Sequence, residues 1–348
     1  MTQPILTRRG FVTAVAAVPL ASAQAAREAP TVVAFDTAGH LDASVDFWRV
    51  PSEIWAYRPQ DSVARKAVIA RLFSAKYGLS VTDENRAVFD RRINLLLADN
   101  VGGVRPAVRI GSETPDYPTT SANGHSRRDV DVPIYTAAPA TGSRIPLEVD
   151  GGASGHVHLV PPDGVSVVSD IDDTVKDSGV LDKRQLWDST FFKPFKAVPG
   201  MADLVRRVSG KSGAVHYVSS TPWHLYAPIR EWLSADGFPA SSLHLKQIRL
   251  KDASLFDLFN GPEVLKPPVI ASLLQRWPKR RFILLGDSGE KDPEIYAGIA
   301  KRFSGQVTRI LIRRAPGDTS SASRFAAVFA DIERSKWQVF DAPGEVAV

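Results

Sequence analysis

Five short strand-like runs separated by helix-length stretches constrain this 348-residue chain more than any other feature. They are Val165–Ser169, Ala214–Ser219, Leu243–Leu245, Arg281–Leu285 and Val307–Ile312. Between them, the spacing predicts helices over Gly200–Ser209 (opened by Pro199), Pro222 to Ala235, Val269–Arg276 and Asp292–Phe303. Strands that alternate with helices in this way predict an α/β fold with a parallel sheet flanked by helices. In such sheets ligands bind beyond the carboxyl ends of the strands.

The earlier part of the chain reads differently. Val45–Tyr57 is strand-like with a Pro51-Ser52 break, and Asp61–Tyr77 and Glu84–Ala98 carry helical apolar spacing, the first stopped by Gly78. From Val101 to Pro162, short apolar runs alternate with Gly, Pro, Asn and Ser. The best strands there are Ala107–Ile110, Val130–Ile134 and His156–Val160, with Asn123-Gly124 as a turn. These elements predict a small β-sandwich-like module with N-terminal helices, over residues 26–160. The α/β part then spans 161–340.

Residues 1–25 carry Thr7-Arg8-Arg9-Gly10-Phe11, a short apolar stretch and Ala23-Gln24-Ala25. Paired arginines, a stretch too short to span a bilayer and a small-x-small cleavage site read as a twin-arginine export signal. That reading puts the protein in the periplasm or outside the cell, starting near Ala26. The chain has no cysteine, which excludes disulfides, a thiol nucleophile and cysteine-ligated metals. The net charge of +5 lies wholly after residue 164, where 26 Lys and Arg face 21 Asp and Glu. A modest basic excess suits anionic substrates or headgroups. No aromatic-basic motif points to nucleic acid, and nothing specifies an oligomeric state.

The polar residues gather where the strands end. Asp170 and Asp172 follow the first run and project to one face, where their repulsion calls for a cation. Ser219, Ser220 and Thr221 follow the second, where hydroxyls and N–H groups could hold a phosphate oxygen. Lys266 precedes a helix, and Asp287 and Asp292 follow the fourth run, where they would complete an oxygen-rich Mg²⁺ site. Each feature also has a plainer reading, as a cap, a surface lysine or a turn. The ordered combination is more specific than its parts.

That order resembles the haloacid-dehalogenase-like phosphohydrolases. Ser169–Lys176 (SDIDDTVK), His216–Trp223 (HYVSSTPW) and Gly286–Tyr296 (GDSGEKDPEIY) look like the actin-patch phosphatidate phosphatase family, as does Phe191–Met201. The resemblance covers about Pro161 to Ile312 and implies a Rossmannoid parallel sheet. It further implies Asp170 as nucleophile, forming an aspartyl-phosphate, and Asp172 as acid and then base. Thr174, Ser219, Ser220 and Lys266 would bind the substrate phosphate. Mg²⁺ would be held by Asp170, Asp172 (through its carbonyl), Asp287 and Asp292. Lys266 stands in a Lys-Pro-Pro context that departs from the family's, leaving Lys246 and Lys251 as candidates for its role.

The implied reaction is hydrolysis of phosphatidate to diacylglycerol and phosphate. The alternatives are a soluble phosphomonoesterase of the same mechanism and a non-catalytic lipid-headgroup binder. Phe191–Lys196 reads either as a peripheral membrane-contacting loop or as an internal packing segment. Trp223 and Tyr226 read as pocket walls or core, and His156 and His158 as packed strand residues.

Overall fold

The computed structural model describes residues 29–347 apart from 43, 45, 135–142, 212, 241 and 248–261. The export-signal reading and Lys251 fall outside the described residues. Among the described residues no helix is long and apolar enough to cross a membrane.

The chain opens with strands β1 (Thr31–Ala34), β2 (Thr37–Asp42) and β3 (Phe47–Arg58), then helices α1 (Val63–Tyr77) and α2 (Arg86–Leu96). Strands β4 (Asp99–Asn100), β5 (Val108–Ile110), β6 (His125–Pro133), β7 (Arg144–Val149) and β8 (Gly155–Val160) follow. The eight strands join into one mixed sheet, ordered β1-β3-β2-β8-β7-β5, with β4 and β6 also paired to β3. Trp48, Val50, Ile54, Val132, Leu147 and Val157 form a core between these strands. Pro51 does not break β3. On one edge β2 pairs with residues 47–49 and β1 with 54–57, so Pro51 falls in the gap, where a missing N–H costs no ladder bond.

Next come β9 (Val165–Ser169), α3 (Lys183–Phe191), α4 (Met201–Ser209), β10 (Ala214–Pro222), α5 (Tyr226–Ala235) and β11 (Ser242–Lys246). The chain continues through α6 (Pro262–Arg276), β12 (Arg281–Asp287), α7 (Asp292–Arg302), β13 (Val307–Arg313), α8 (Ala322–Val328) and β14 (Trp337–Phe340). These six strands form an all-parallel sheet ordered β11-β10-β9-β12-β13-β14. Both faces are covered, as a parallel sheet requires. Val167 faces one core with Met201, Leu204 and Ile229; Val168 faces the other with Ile270, Leu274 and Tyr296. Strand β9 is central, and the connections run outward from it in both directions. This is the topology that opens a crevice at the strand ends.

Helices α3 and α8 have no counterpart in the expected pattern, and α5 and α6 start at other residues than expected. Helix α6 starts at Pro262, seven residues before the expected Val269, and so contains Lys266, Pro267 and Pro268. Pro267 and Pro268 lie past its first turn, so each gives up an i→i−4 backbone bond inside the helix. Trp223–Leu225 forms a 3-10 turn before α5 begins. The helices α1 and α2 pack on the parallel-sheet half: Phe73 of α1 meets Trp187, Phe191 and Phe192. Phe191 and Phe192 are therefore core, which answers the loop question in favour of internal packing. Ser62 caps α1 by accepting from Arg65 N, and Gly78 ends it in the left-handed region at φ 65°.

Candidate active site

Register brings the site together. Ser169 lies level with Tyr217 of β10 and Leu285 of β12. Asp170, Ser219 and Asp287 therefore sit one or two residues further on, at the carboxyl edge of three adjacent strands. Lys266 reaches the same place from α6. All four are buried.

Lys266 Nζ lies 2.8 Å from Asp170 Oδ1, 2.6 Å from Asp292 Oδ1 and 3.1 Å from Glu290 Oε2. One buried ammonium thus faces four carboxylates, because Asp287 joins the cluster. Asp287 Oδ1 accepts from Gly289 N (2.6 Å) and Glu290 N (3.0 Å), while its Oδ2 is buried with no partner. Carboxylate oxygens of Asp170, Asp287 and Glu290 lie within 4.8 Å of one another. Excess buried negative charge, an orphaned oxygen and an all-oxygen donor set fit a hard divalent cation such as Mg²⁺. Asp292 stands behind them, with Oδ1 on Lys266 and Oδ2 accepting from Asp287 N at 3.3 Å.

The electrostatics follow from this crowding. Burial pushes Asp170 up to about 7, against the pull of Lys266 and with Glu290 and Asp172 adding to the rise. Burial likewise raises Asp292 to about 6 and Asp287 well above the carboxylate range. Burial disfavours the charge of Lys266, but Asp170, Asp292 and Glu290 hold its proton firmly.

Asp172 lives differently. Its Oδ1 takes Lys176 Nζ at 2.6 Å and Ser178 Oγ at 2.7 Å; its Oδ2 takes Thr221 Oγ1 at 2.8 Å and Ser219 Oγ at 3.3 Å. Burial opposes its charge, yet Lys176 and these hydroxyls hold it down at about 2. Thr174 Oγ1 donates to Asp170 Oδ2 at 3.2 Å, and Ser220 Oγ is buried without a partner.

Asp173 shapes the loop that carries all this. At φ 51° it turns the chain, and its carboxylate accepts from the N–H groups of Ser178, Gly179 and Val180 at 2.6–2.8 Å. Gly286 makes room for Asp292: a Cβ there would lie 2.7 Å from Tyr296 Cε2 and 2.8 Å from Asp292 Cβ.

The structure thus gathers Asp170, Asp172, Thr174, Ser219, Ser220, Lys266, Asp287 and Asp292 at one edge. Sequence reasoning missed Glu290, although it stands between Asp287 and Asp292 in the same turn. It also gave no role to Lys176, four residues from Asp172, or to Ser178.

A family model, "Phosphatidate phosphatase APP1, catalytic domain", matches residues 165–314, the segment that supplies every one of these side chains. That segment is similar to the catalytic domain of this family. Two curated relatives match about half of the chain. An uncharacterized protein of Schizosaccharomyces pombe is 29% identical over 166 residues, 47% of this chain and 27% of its own length. The phosphatidate phosphatase APP1 of Saccharomyces cerevisiae is 31% identical over 186 residues, 49% of this chain and 31% of its own. The chain therefore spans less than a third of either relative. The phosphatidate phosphatase-like domain is the shared part.

Proposed function

We propose that this chain is a Mg²⁺-dependent phosphatidate phosphatase that releases phosphate from phosphatidate through an aspartyl-phosphate on Asp170. The observation that carries this reading is the convergence of Asp170, Lys266 and Asp287 at one strand edge within the family-matched segment. The topology and the motif order also support a haloacid-dehalogenase-like domain over 161–340.

Asp170 Oδ2 attacks phosphorus, and the bond to the lipid oxygen breaks. Thr174 orients that carboxylate. Lys266 offsets the phosphoryl charge, and Ser219 and Ser220 supply hydroxyl donors. A phosphomonoester arriving as its monoanion leaves its proton on Asp172, which passes it to the departing alkoxide, then takes one from the water that opens the acyl-phosphate and gives it up with the product. The donors around Asp172 favour its ionised form, the form that receives that proton and later acts as base. Asp170, Asp287 and Glu290 would hold Mg²⁺, whose chemistry is to neutralise anion-on-anion repulsion. A cleft of about 650 Å³ has mixed walls, apolar at Trp223, Tyr226, Leu243 and Leu265 and charged at Asp36, Glu53, Arg127, Arg128 and Arg276, and none of the site carboxylates lines it. The signal in residues 1–25 supports export before the enzyme acts, with 26–160 as its accompanying module.

The test is phosphate release with Mg²⁺ from phosphatidate in mixed micelles and from a water-soluble phosphomonoester. Release from phosphatidate that Asp170→Asn abolishes is the expected result. Release from the soluble ester alone would make the chain a soluble phosphomonoesterase. Binding without release from either would make it a headgroup binder.

A further inference from the structure

Among the described residues, the large apolar side chains that stand well out in solvent are Val63, Val68, Leu72, Leu181 and Val264. Their positions are not scattered. Three lie on α1, and the other two on the segments that carry the active-site groups. Leu181 comes three residues after Ser178, whose hydroxyl holds Asp172. Val264 comes two residues before Lys266, which holds Asp170. Chain length alone keeps Leu181 within about 11 Å of Ser178 and Val264 within about 7 Å of Lys266.

Helix α1 has an unusual surface. Its buried side presents Phe73 to Trp187, Phe191 and Phe192. Ala64, Val68, Leu72 and Ala75 recur at helical spacing on the opposite, exposed side. The helix contains Arg65, Lys66, Arg71 and Lys76 and no Asp or Glu. Exposed Arg65 and Arg71 flank the apolar stripe. An outward apolar stripe edged only by cations matches the side of an interfacial helix that enters an anionic headgroup layer. The C-terminal end of α1 meets the first turn of α3: Arg184 Nε donates to Tyr77 O at 3.0 Å, three residues after Leu181.

We propose that α1 and Leu181 form a docking surface for an anionic lipid bilayer, next to the segment whose Ser178 holds Asp172, while Val264 projects from the side of α6 opposite Lys266 and is left out of it. This rests on the reading of the substrate as a membrane phospholipid. The occupant is a bilayer rather than a soluble anion because the surface combines apolar area with positive charge. Val68 and Leu72 approach the acyl boundary, while Arg65 and Arg71 meet lipid phosphates.

Flotation of the full chain with vesicles of phosphatidylcholine containing phosphatidylglycerol tests the surface without a cleavable phosphomonoester. The wild type is expected to float with these vesicles, less so at high salt, and poorly with phosphatidylcholine alone. Val68→Glu with Leu72→Glu is expected to lower the vesicle-bound fraction at least tenfold. Hydrolysis of phosphatidate in vesicles should fall in parallel, with the melting temperature and hydrolysis of a soluble phosphomonoester unchanged. Should that variant unfold, Arg65→Glu with Arg71→Glu, which alters only exposed side chains, decides instead. A wild type that stays in solution, or a folded variant that floats equally well, overturns the proposal. So does equal flotation with neutral vesicles, or a soluble protein partner that needs the same side chains while vesicles do not bind. Vesicle binding without any phosphatidate turnover would instead overturn the proposed activity and leave the docking surface standing.

Discussion

Asp170 and Asp172 stand two residues apart on one loop, both buried, and their surroundings treat them in opposite ways. Asp170 shares one ammonium with Asp292 and Glu290 and lies among more negative charge than the protein neutralises. Asp172 has four donors to itself. The first carboxylate is pushed up to about 7 and the second held at about 2. Identical side chains acquire different tasks through the groups around them. A charge-starved centre is ready for an incoming cation, and a saturated one is fixed in place.

The sharpest way to break this contrast is to remove the donor that defines it. Lys176→Met leaves the Asp172 carboxylate buried without its counter-charge. The expected cost is about 3–5 kcal/mol, the range for breaking one side of a buried pair. Urea unfolding of the full chain measures it. A loss below about 1 kcal/mol would mean that Ser178, Thr221 and Ser219 hold the carboxylate unaided.

Cation binding is the next largest effect. If Asp170, Asp287 and Glu290 receive Mg²⁺, saturating metal stabilises the fold by about 2.7 kcal/mol at a hundredfold excess over Kd. Thermal unfolding with and without chelator reads this directly. Glu290→Gln is expected to weaken the response, whereas Asp177→Asn, at an exposed surface pair, leaves it unchanged. No shift on adding Mg²⁺ would show that Lys266 alone balances the cluster.

The two aspartates should also respond to pH with opposite signs. Asp170 and Asp292 have folded pKa values raised to about 7 and about 6. The folded state therefore binds more protons than the unfolded one from about pH 4 upward. The stability they contribute is complete below pH 4 and fades as pH rises through 6 and 7 in the metal-free protein. Asp172, lowered to about 2, contributes stability above pH 4 that is lost as pH falls through 2. Melting temperatures of the chelated protein across pH 4–7 should therefore fall less steeply in Asp170→Asn than in the wild type. Parallel curves would show that Asp170 titrates alike in both states.

The legible half of this contrast was the half written as alternating strands and polar strand ends. Asp170, Ser219 and Asp287 could be aligned because each follows an apolar run, and parallel strands in register carry such residues to one edge. Glu290 and Lys176 escaped because their roles depend on how a loop folds back, which no periodicity encodes. Asp173 shows the reason: a non-glycine residue at φ 51° sets that loop, and its three N–H contacts lie five to seven residues away. The first sheet was only partly legible. Pro51 signals a break that the gap between β1 and β2 absorbs.

The smallest expected effect sets the scale for the others. Arg91 of α2 holds both oxygens of Glu231 on α5 at 2.6 and 2.7 Å, as short as the Lys176–Asp172 contact. Its side chains are 54% and 58% exposed, against 3% and 7% for the buried pair. The shortest distances are equal, while the buried carboxylate also has three hydroxyl donors and the exposed one has water. Water screens the exposed charges and hydrates either one left alone, so Arg91→Ala should cost about 0.5 kcal/mol or less. Measured beside Lys176→Met in the same urea experiment, it compares a solvated ion pair with a buried one of the same length. A cost above about 2 kcal/mol would instead make Arg91 a structural tie between α2 and α5, since packing of its stem would then exceed the charge term.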